Sequence, residues 1–283
     1  MTKISFQGEH GAYSESAARK YFKEQPYRLE GEIETNPCNT FGDALKNTEN
    51  DKTKFSILPV ENSIEGTVGQ SIDVITNTKL NAVGEVYLKI EHCLIGSGKL
   101  EDIDTVYSHP QALGQCSEFI QKNNFKTVPT YDTAGSVKII KELGKNNCAS
   151  IASNSASSLY DIPIIKQGIE NNSNNYTRFL VFSKDNRVFQ INNEHDKTSI
   201  IFSVKHEPGS LYQILKQFGA KGINLTKIES RPNKNTNWEY NFFVDFIGNV
   251  SDQESQVKKL LDNISENVLF LKILGSYPIA DLD

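Results

Sequence analysis

Residues 200–229 read IIFSVKHEPGSLYQILKQFGAKGINLTKIE, and their spacing sets the fold of the last third of the chain. Ile200–Val204 is an apolar run of strand length. Beyond Pro208-Gly209, Leu211, Ile214, Leu215 and Phe218 recur at the i, i+3, i+4, i+7 interval of one helix face. Asn224–Glu229 returns to strand composition. Tyr240, Phe242, Val244 and Phe246 then alternate with mostly polar neighbours, the two-residue period of a half-buried strand. Val257, Leu260, Leu261 and Ile264 repeat the helical interval, and Leu269–Leu274 supplies a closing strand. The order is βαββαβ, the split-βαβ or ferredoxin-like plan. Such a plan specifies no activity by itself.

Upstream, the segment SKDNRVFQINNEHDK at 183–197 is polar, charged and without sustained periodicity, and it reads as a linker. Before it, short apolar strands alternate with amphipathic helices. Strands are expected at Ile4–Gln7, Phe55–Val60, Val86–Ile95, Thr105–Tyr107, Cys148–Ala152 and Phe179–Phe182. Helices are expected at Glu15–Lys23, Val68–Asn77, Pro110–Lys122, Ala134–Leu143 and Ser153–Tyr160. Alternating β and α elements imply an α/β architecture with helices packed on sheet faces. The chain therefore divides into an α/β region at 1–183, a linker at 184–197 and the βαββαβ region at 198–283.

Composition narrows the function. The 283 residues are 37% hydrophobic and 23% charged, enough apolar material for two cores. A net charge of −5 offers no positive field to draw in nucleic acid or anionic lipid. No apolar run approaches the roughly 18 residues of a membrane span. Cys38, Cys93, Cys116 and Cys148 lie far apart with no C-x-x-C, which argues against a zinc site or disulfide framework and suits a reducing cytoplasm. Met1–Phe6 enters a strand-like run with no signal-peptide core. The expectation is a cytoplasmic protein with neither nucleic-acid nor membrane partner.

Five loops in the first region share one design: a strand end, a small or polar run, then a helix start. They are FQGEHGAYSE at 6–15, PVENSIEGTVG at 59–69, YSHPQALGQC at 107–116, YDTAGSVK at 131–138 and ASIASNSA at 149–156. Ser14, Ser63, Ser108, Thr133 and Ser153 are the candidate N-caps. Unpaired N–H groups at helix starts favour an anion such as a carboxylate, so five such loops point to a cleft for a small organic anion. Competing motifs fail. Gly98-Lys99 ends like a phosphate loop, but Cys93 stands where the leading glycine belongs, and no serine lies in G-x-S-x-G. The five histidines have no metal-ligand spacing, and each reads as a surface or core residue. No metal or cofactor is expected. One dense polar knot remains, NNSNNYTRF at 171–179.

These segments, in this order, resemble prephenate dehydratase. PGSLY at 208–212, INLTKIESRP at 223–232, WEYNFFVDF at 238–246 and LGSYP at 274–278 resemble the ACT regulatory domain attached to it. Ser210 stands where the family more often has alanine. The resemblance implies conversion of prephenate to phenylpyruvate, with loss of water and carbon dioxide, in phenylalanine biosynthesis. It implies a two-lobed catalytic region like a type II periplasmic-binding-protein fold, and no cofactor. Covering the chain from its first six residues to about residue 278, it also implies a single activity, without a mutase or dehydrogenase segment. Thr177 is the catalytic residue by this resemblance, read as a hydrogen-bond donor to the leaving oxygen, with Glu61 or Asp132 supplying or relaying the proton. Asn62, Ser63, Ser108, Gln115, Thr133, Arg178 and Phe179 are expected to line the substrate site, Arg178 as a bidentate guanidinium. L-Phenylalanine is expected to inhibit at ACT domains paired between subunits of a dimer or tetramer. It would contact Asn224, Leu225, Glu229 and Ser230 of one subunit and Gly209, Ser210 and Leu211 of its neighbour. Arogenate dehydratase, or a non-enzymatic amino-acid sensor, would share much of this sequence.

Overall fold

The chain passes twice through one topology before it builds its third sheet. The computed structural model describes residues 1–23, 31–186, 196–233, 239–250 and 256–282. The first lobe contains β1 (Thr2–Gln7), α1 (Tyr13–Lys23), β2 (Ile33–Cys38), α2 (Phe41–Glu49), β3 (Phe55–Asn62), the short β4 (Gly66–Thr67), α3 (Gly69–Ile75) and β5 (Asn81–Lys89). The second contains β6 (Cys93–Ile95), β7 (Thr105–Ser108), α4 (Pro110–Gln115), α5 (Ser117–Lys122), β8 (Lys126–Pro129), α6 (Gly135–Leu143), β9 (Cys148–Ala152), α7 (Asn154–Tyr160) and β10 (Ile164–Gln167). The chain then re-enters the first lobe as β11 (Tyr176–Ser183).

The sheet orders are β2-β1-β3-β11-β5, with β4 paired to β3, and β10-β6-β9-β7-β8. In each lobe the strand arriving from the other lobe is inserted antiparallel between the third and fourth host strands. Two crossovers therefore join the lobes side by side, held by Ile90 N–H to Asn175 O at 2.7 Å and Ile169 N–H to His92 O at 3.2 Å. This is the two-lobed, periplasmic-binding-protein-like α/β architecture.

The third unit is β12 (Asp196–Ser203), α8 (Ser210–Ala220), β13 (Leu225–Pro232), β14 (Tyr240–Ile247), α9 (Gln256–Ser265) and β15 (Phe270–Pro278), with sheet order β13-β14-β12-β15. It is the ferredoxin-like βαββαβ plan. One sheet face buries Ile200, Phe202, Val244 and Phe246 against Ile214 and Phe218 of α8 and Leu260, Leu261 and Ile264 of α9. The other face packs onto the first lobe: Ile201, Phe243, Leu274 and Tyr277 share one core with Leu58, Val60, Leu180 and Phe182.

Several elements differ from the sequence reading. The run Val86–Ile95 is two strands in two sheets, because Ile90–His92 crosses between lobes. Pro110–Lys122 is two helices broken at Cys116. Strands β2, β8 and β10 and helix α2 gave no readable signal, their periodicity being too short or too polar. Strand β14 is not half-buried: Phe243 and Asp245, on the face expected to meet water, are buried against the first lobe. Asp196 and Lys197, assigned to the linker, are buried in β12. The rest of that linker from residue 187, and Trp238, lie outside the described residues.

Gly275 marks how closely the sheets approach. Its φ is +154°, and a Cβ there would sit 2.1 Å from the Ala82 carbonyl oxygen on β5. Gly275→Ala is expected to destabilise the protein by about 1–3 kcal/mol through overpacking, read as a lowered thermal midpoint. An unchanged midpoint would show that the contact is not tight.

Candidate active site

Strands β3 and β11 run antiparallel with Thr177 directly opposite Asn62 and Arg178 directly opposite Glu61. Successive side chains point to opposite faces of a sheet. Thr177 and Asn62 therefore share the face toward the cleft, while Arg178 and Glu61 point away from it. The Asn62 carboxamide is held at both ends. Its oxygen accepts from the N–H groups of Ile64 (3.0 Å) and Glu65 (2.9 Å), which turns its nitrogen toward Thr177. Nδ2 then donates to Thr177 Oγ1 at 2.9 Å and to Asn175 Oδ1 at 2.7 Å. Because Thr177 Oγ1 already accepts, its own hydrogen is left for an oxygen in the cleft.

The cleft between the lobes has a cavity volume of about 230 Å³, just under the range of about 300–1,000 Å³ usual for small-ligand sites. Starts of five helices reach it: Tyr13 and Ser14 of α1, Val68 before α3, Gln111 and Ala112 of α4, Thr133 and Ala134 before α6, and Ser153 before α7. The convergence read from the five loops is thus present in space. The caps differ, however. Ser153 accepts from Ala156 N–H at 3.1 Å as expected. At α4 the cap is His109, and at α6 the Asp132 carboxylate accepts from Gly135 N–H at 2.7 Å.

Of the sequence-selected residues, Thr177, Asn62, Gln115, Asp132, Thr133 and Phe179 line the cleft. Four others do not. Arg178 and Glu61 face the third sheet. Ser63 Oγ donates to Asn174 O at 3.1 Å and accepts from Tyr176 N–H at 2.9 Å, bracing the strand ends. Ser108, fully buried, donates to Ile151 O at 2.6 Å. Glu61 as proton donor and Arg178 as substrate clamp are therefore corrected: strand alternation allows only every second residue of Glu61-Asn62-Ser63 and Thr177-Arg178-Phe179 to reach the cleft. No lysine or arginine is among its described lining residues. Burial raises the Asp132 carboxyl above the ordinary carboxylate range, against the lowering N–H bonds from Gly135 and Ala134.

His92, Tyr13, Gln111 and Gln7 also line the cleft, and the sequence had not marked them. The His92 ring is buried, which lowers its pKa and keeps it neutral. His92 Nε2 lies 2.8 Å from Gln115 Oε1 and Nδ1 lies 3.0 Å from Tyr13 OH, which itself donates to Glu91 O at 2.7 Å. Asn175 Nδ2 donates to the same Gln115 oxygen at 3.4 Å. A polar chain thus runs from Tyr13 through His92, Gln115 and Asn175 to Asn62 and Thr177. Its sequence signal was faint: one histidine inside the strand-like run VYLKIEHCLI at 86–95.

The effector residues fall at two ends of the third sheet. Gly209 caps α8, whose first residues are Ser210 and Leu211, while Asn224 and Leu225 follow that helix and open β13. The rest of α8, residues 212–220, separates the two groups, roughly 14 Å at about 1.5 Å per residue. Glu229 and Ser230 point to opposite faces of β13, and Glu229 pairs with Phe243. One chain does not gather them.

Fold and cleft together define a two-lobed α/β protein with a cleft lined by helix starts, amides and hydroxyls and free of lysine and arginine among its described lining residues, carried beside a ferredoxin-like unit. The sequence profile of prephenate dehydratase matches residues 4–187. The prephenate dehydratase of Methanocaldococcus jannaschii is 36% identical over 273 residues, covering 96% of each chain. Arogenate dehydratase/prephenate dehydratase 2 of Arabidopsis thaliana is 35% identical over 98% of this chain and 73% of its own. Among solved structures, prephenate dehydratase from Arthrobacter aurescens in complex with L-Phe superposes with a TM-score of 0.87 at 26% identity, covering 99% of this chain and 91% of that one. A protein described as GqqA, a novel type of quorum quenching acylase, superposes at 0.86 with 28% identity over 98% of both chains. The chain belongs to the prephenate dehydratase family.

Glu15 holds the turn at Gly11, which lines the cleft. Its carboxylate accepts from Gly11 N–H, Thr35 Oγ1 and Arg19 Nη2, each at 2.7 Å. Burial would raise its pKa, but these donors hold it at about 2, below the ordinary 4.5. The folded value is depressed, so the stabilisation is present above pH 4.5 and lost as pH falls toward 2. Glu15→Gln is expected to cost about 2–3 kcal/mol at pH 7, with the gap from wild type closing through that window. Denaturant midpoints at pH 7, 4 and 3 check it; a gap independent of pH would contradict it.

Proposed function

We propose that the protein is a prephenate dehydratase whose catalytic donor is Thr177, a reading carried by the Asn62–Thr177 pair at the wall of the cleft. Prephenate is a dicarboxylate. As its ring carboxylate leaves as carbon dioxide, the electrons of the broken C–C bond enter the ring, and the ring hydroxyl departs with one added proton as water. The product is the aromatic phenylpyruvate. Three tasks follow: holding two carboxylates, protonating the leaving oxygen and keeping water from the ring.

Helix starts and neutral side chains suit the first task, since anions bind readily to unpaired N–H groups at positive dipole ends. For the second, Thr177 is a preorganised donor to the leaving oxygen, because Asn62 has taken the accepting side of its hydroxyl. A threonine is a poor acid, so the proton itself comes from Asp132, a carboxyl that lines the same cleft and whose pKa burial raises. Phe179, Phe41 and Pro59 supply the apolar wall for the ring.

Residues 1–183 form the catalytic part and the ferredoxin-like unit an ACT regulatory domain for L-phenylalanine. In support, a relative carries L-Phe in its solved structure, and the separation of the effector residues in one chain calls for a second subunit to complete each site. Ile228 on the edge strand β13, Tyr240 at the start of its neighbour β14 and Ile273 on the opposite edge strand β15 are exposed apolar side chains suited to pairing in a homo-oligomer. Four unpaired cysteines suit the cytoplasm, and among the described residues no helix is long and apolar enough to cross a membrane.

Thr177→Ala is expected to leave the fold intact and lower kcat on prephenate by roughly 10²–10³, the scale of one preorganised donor, with Thr177→Ser partly active; a fully active alanine variant would remove the assignment. Parallel assays on prephenate and arogenate, following phenylpyruvate and phenylalanine, decide between the keto acid and the amino acid, and prephenate is expected to be preferred. Saturating L-phenylalanine is expected to inhibit. If neither activity nor sedimentation behaviour responded to it, the regulatory reading would fail.

A further inference from the structure

The residues adjoining the proposed catalytic pair hold a different job. Arg178 is 3% exposed and gives its whole fork to buried partners: Nε to Glu85 Oε2 at 2.6 Å, Nη1 to Asp245 Oδ2 at 2.5 Å and Nη2 to Tyr277 Oη at 3.0 Å. Asp245 lies on β14 and Tyr277 on β15, both in the ferredoxin-like sheet. Glu85 also accepts from Lys197 Nζ of β12 at 2.7 Å and from Ala280 N–H at 3.1 Å. Ser199 of β12 closes the ring, donating to Asp245 and bonding Tyr277 Oη at 2.5 Å. Two cations face two anions here, out of contact with water. Opposite Arg178, Glu61 accepts from Lys227 Nζ of β13 at 2.8 Å. Strands β11 and β3 are thus each gripped from the third sheet at the residue adjoining Thr177 or Asn62.

We propose that Arg178 is a positioning residue for Thr177: it anchors β11 to the ferredoxin-like sheet and so sets where the Thr177 hydroxyl stands in the cleft. The inference rests on the reading of Thr177 given above. The physical link is short. A planar peptide joins the two residues, and alternation makes any roll of the strand that moves Arg178 on one face swing Thr177 on the other. A buried, multiply bonded guanidinium resists that roll more than apolar contact does, because its fork fixes direction as well as distance. Asp132 and Thr133, which line the cleft from the second lobe, make no bond to this cluster. Loosening it should therefore impair turnover and spare binding.

The test is steady-state kinetics on prephenate for wild type, Tyr277→Phe, Asp245→Asn and Arg178→Lys, with circular dichroism and thermal melts alongside. Displacement of a reacting group by about 1 Å costs on the order of a hundredfold. Asp245→Asn and Arg178→Lys are expected to lower kcat by about ten- to a hundredfold and Tyr277→Phe by about threefold or more, with KM changed less than about twofold. Lysine should not rescue Arg178, since one ammonium cannot reach Glu85, Asp245 and Tyr277 together. Tyr277→Phe removes a single oxygen and decides the matter if the charge variants fail to fold. Folded variants with wild-type kcat, or losses confined to KM, would overturn the proposal while the wild type remained active. A wild type inactive on both prephenate and arogenate would instead remove the reading of the cleft, and this proposal with it.

Discussion

Strand β11 ties the molecule together through its two faces. It is inserted antiparallel between β3 and β5, it carries the chain back from the second lobe, and each face serves a different end. Thr177 and Phe179 look into the cleft, while Arg178, Leu180 and Phe182 look into the interface with the ferredoxin-like sheet. A slip of one residue would exchange the two sets, placing a guanidinium in the cleft and a hydroxyl among buried carboxylates. The buried charges forbid it. Removing one member of a buried ion cluster typically costs about 3–5 kcal/mol, so the register is held by electrostatics as well as by apolar packing.

The same arrangement explains why a dianionic substrate can be served by a site without lysine or arginine among its described lining. The cations of this region are turned to the back of the sheet, where they neutralise Glu85, Asp245 and Glu61. The cleft is left with helix starts, amides and hydroxyls. Such groups are fixed dipoles that need little reorganisation as charge leaves the ring, whereas a cation clamped on the ring carboxylate would hold in place the charge that must depart. The net charge of −5 is then no obstacle. Capture is local.

Much of this was legible in the sequence. The βαββαβ order followed from helical and strand periods alone, and five strand–loop–helix segments announced a cleft lined by helix starts. The misreadings share a cause, which is that local pattern carries no knowledge of what lies on the far side of an element. Strand β14 alternates like a half-exposed strand, yet Phe243 and Asp245 are buried because the first lobe covers that face. Arg178 and Glu61 look like site residues because they adjoin Thr177 and Asn62, and adjacency in a strand means opposite faces. His92 gave almost no signal; a lone histidine in the mixed run VYLKIEHCLI takes its meaning only from Gln115 and Tyr13, which reach it from elsewhere in the chain.

Local spacing and residue chemistry were enough to place the helices and strands of the C-terminal third and to mark the loops that supply donors. Family resemblance added that Thr177 and Asn62 belong to one site. The direction of each side chain is another matter, because direction follows from register, and register from partners distant in sequence. Thr177 opposite Asn62, and Arg178 inside a ring of groups from β5, β12, β14 and β15, are consequences of three sheets meeting. A buried charge must find its counter-charges wherever the folded chain brings them, and here it brings them behind strand β11.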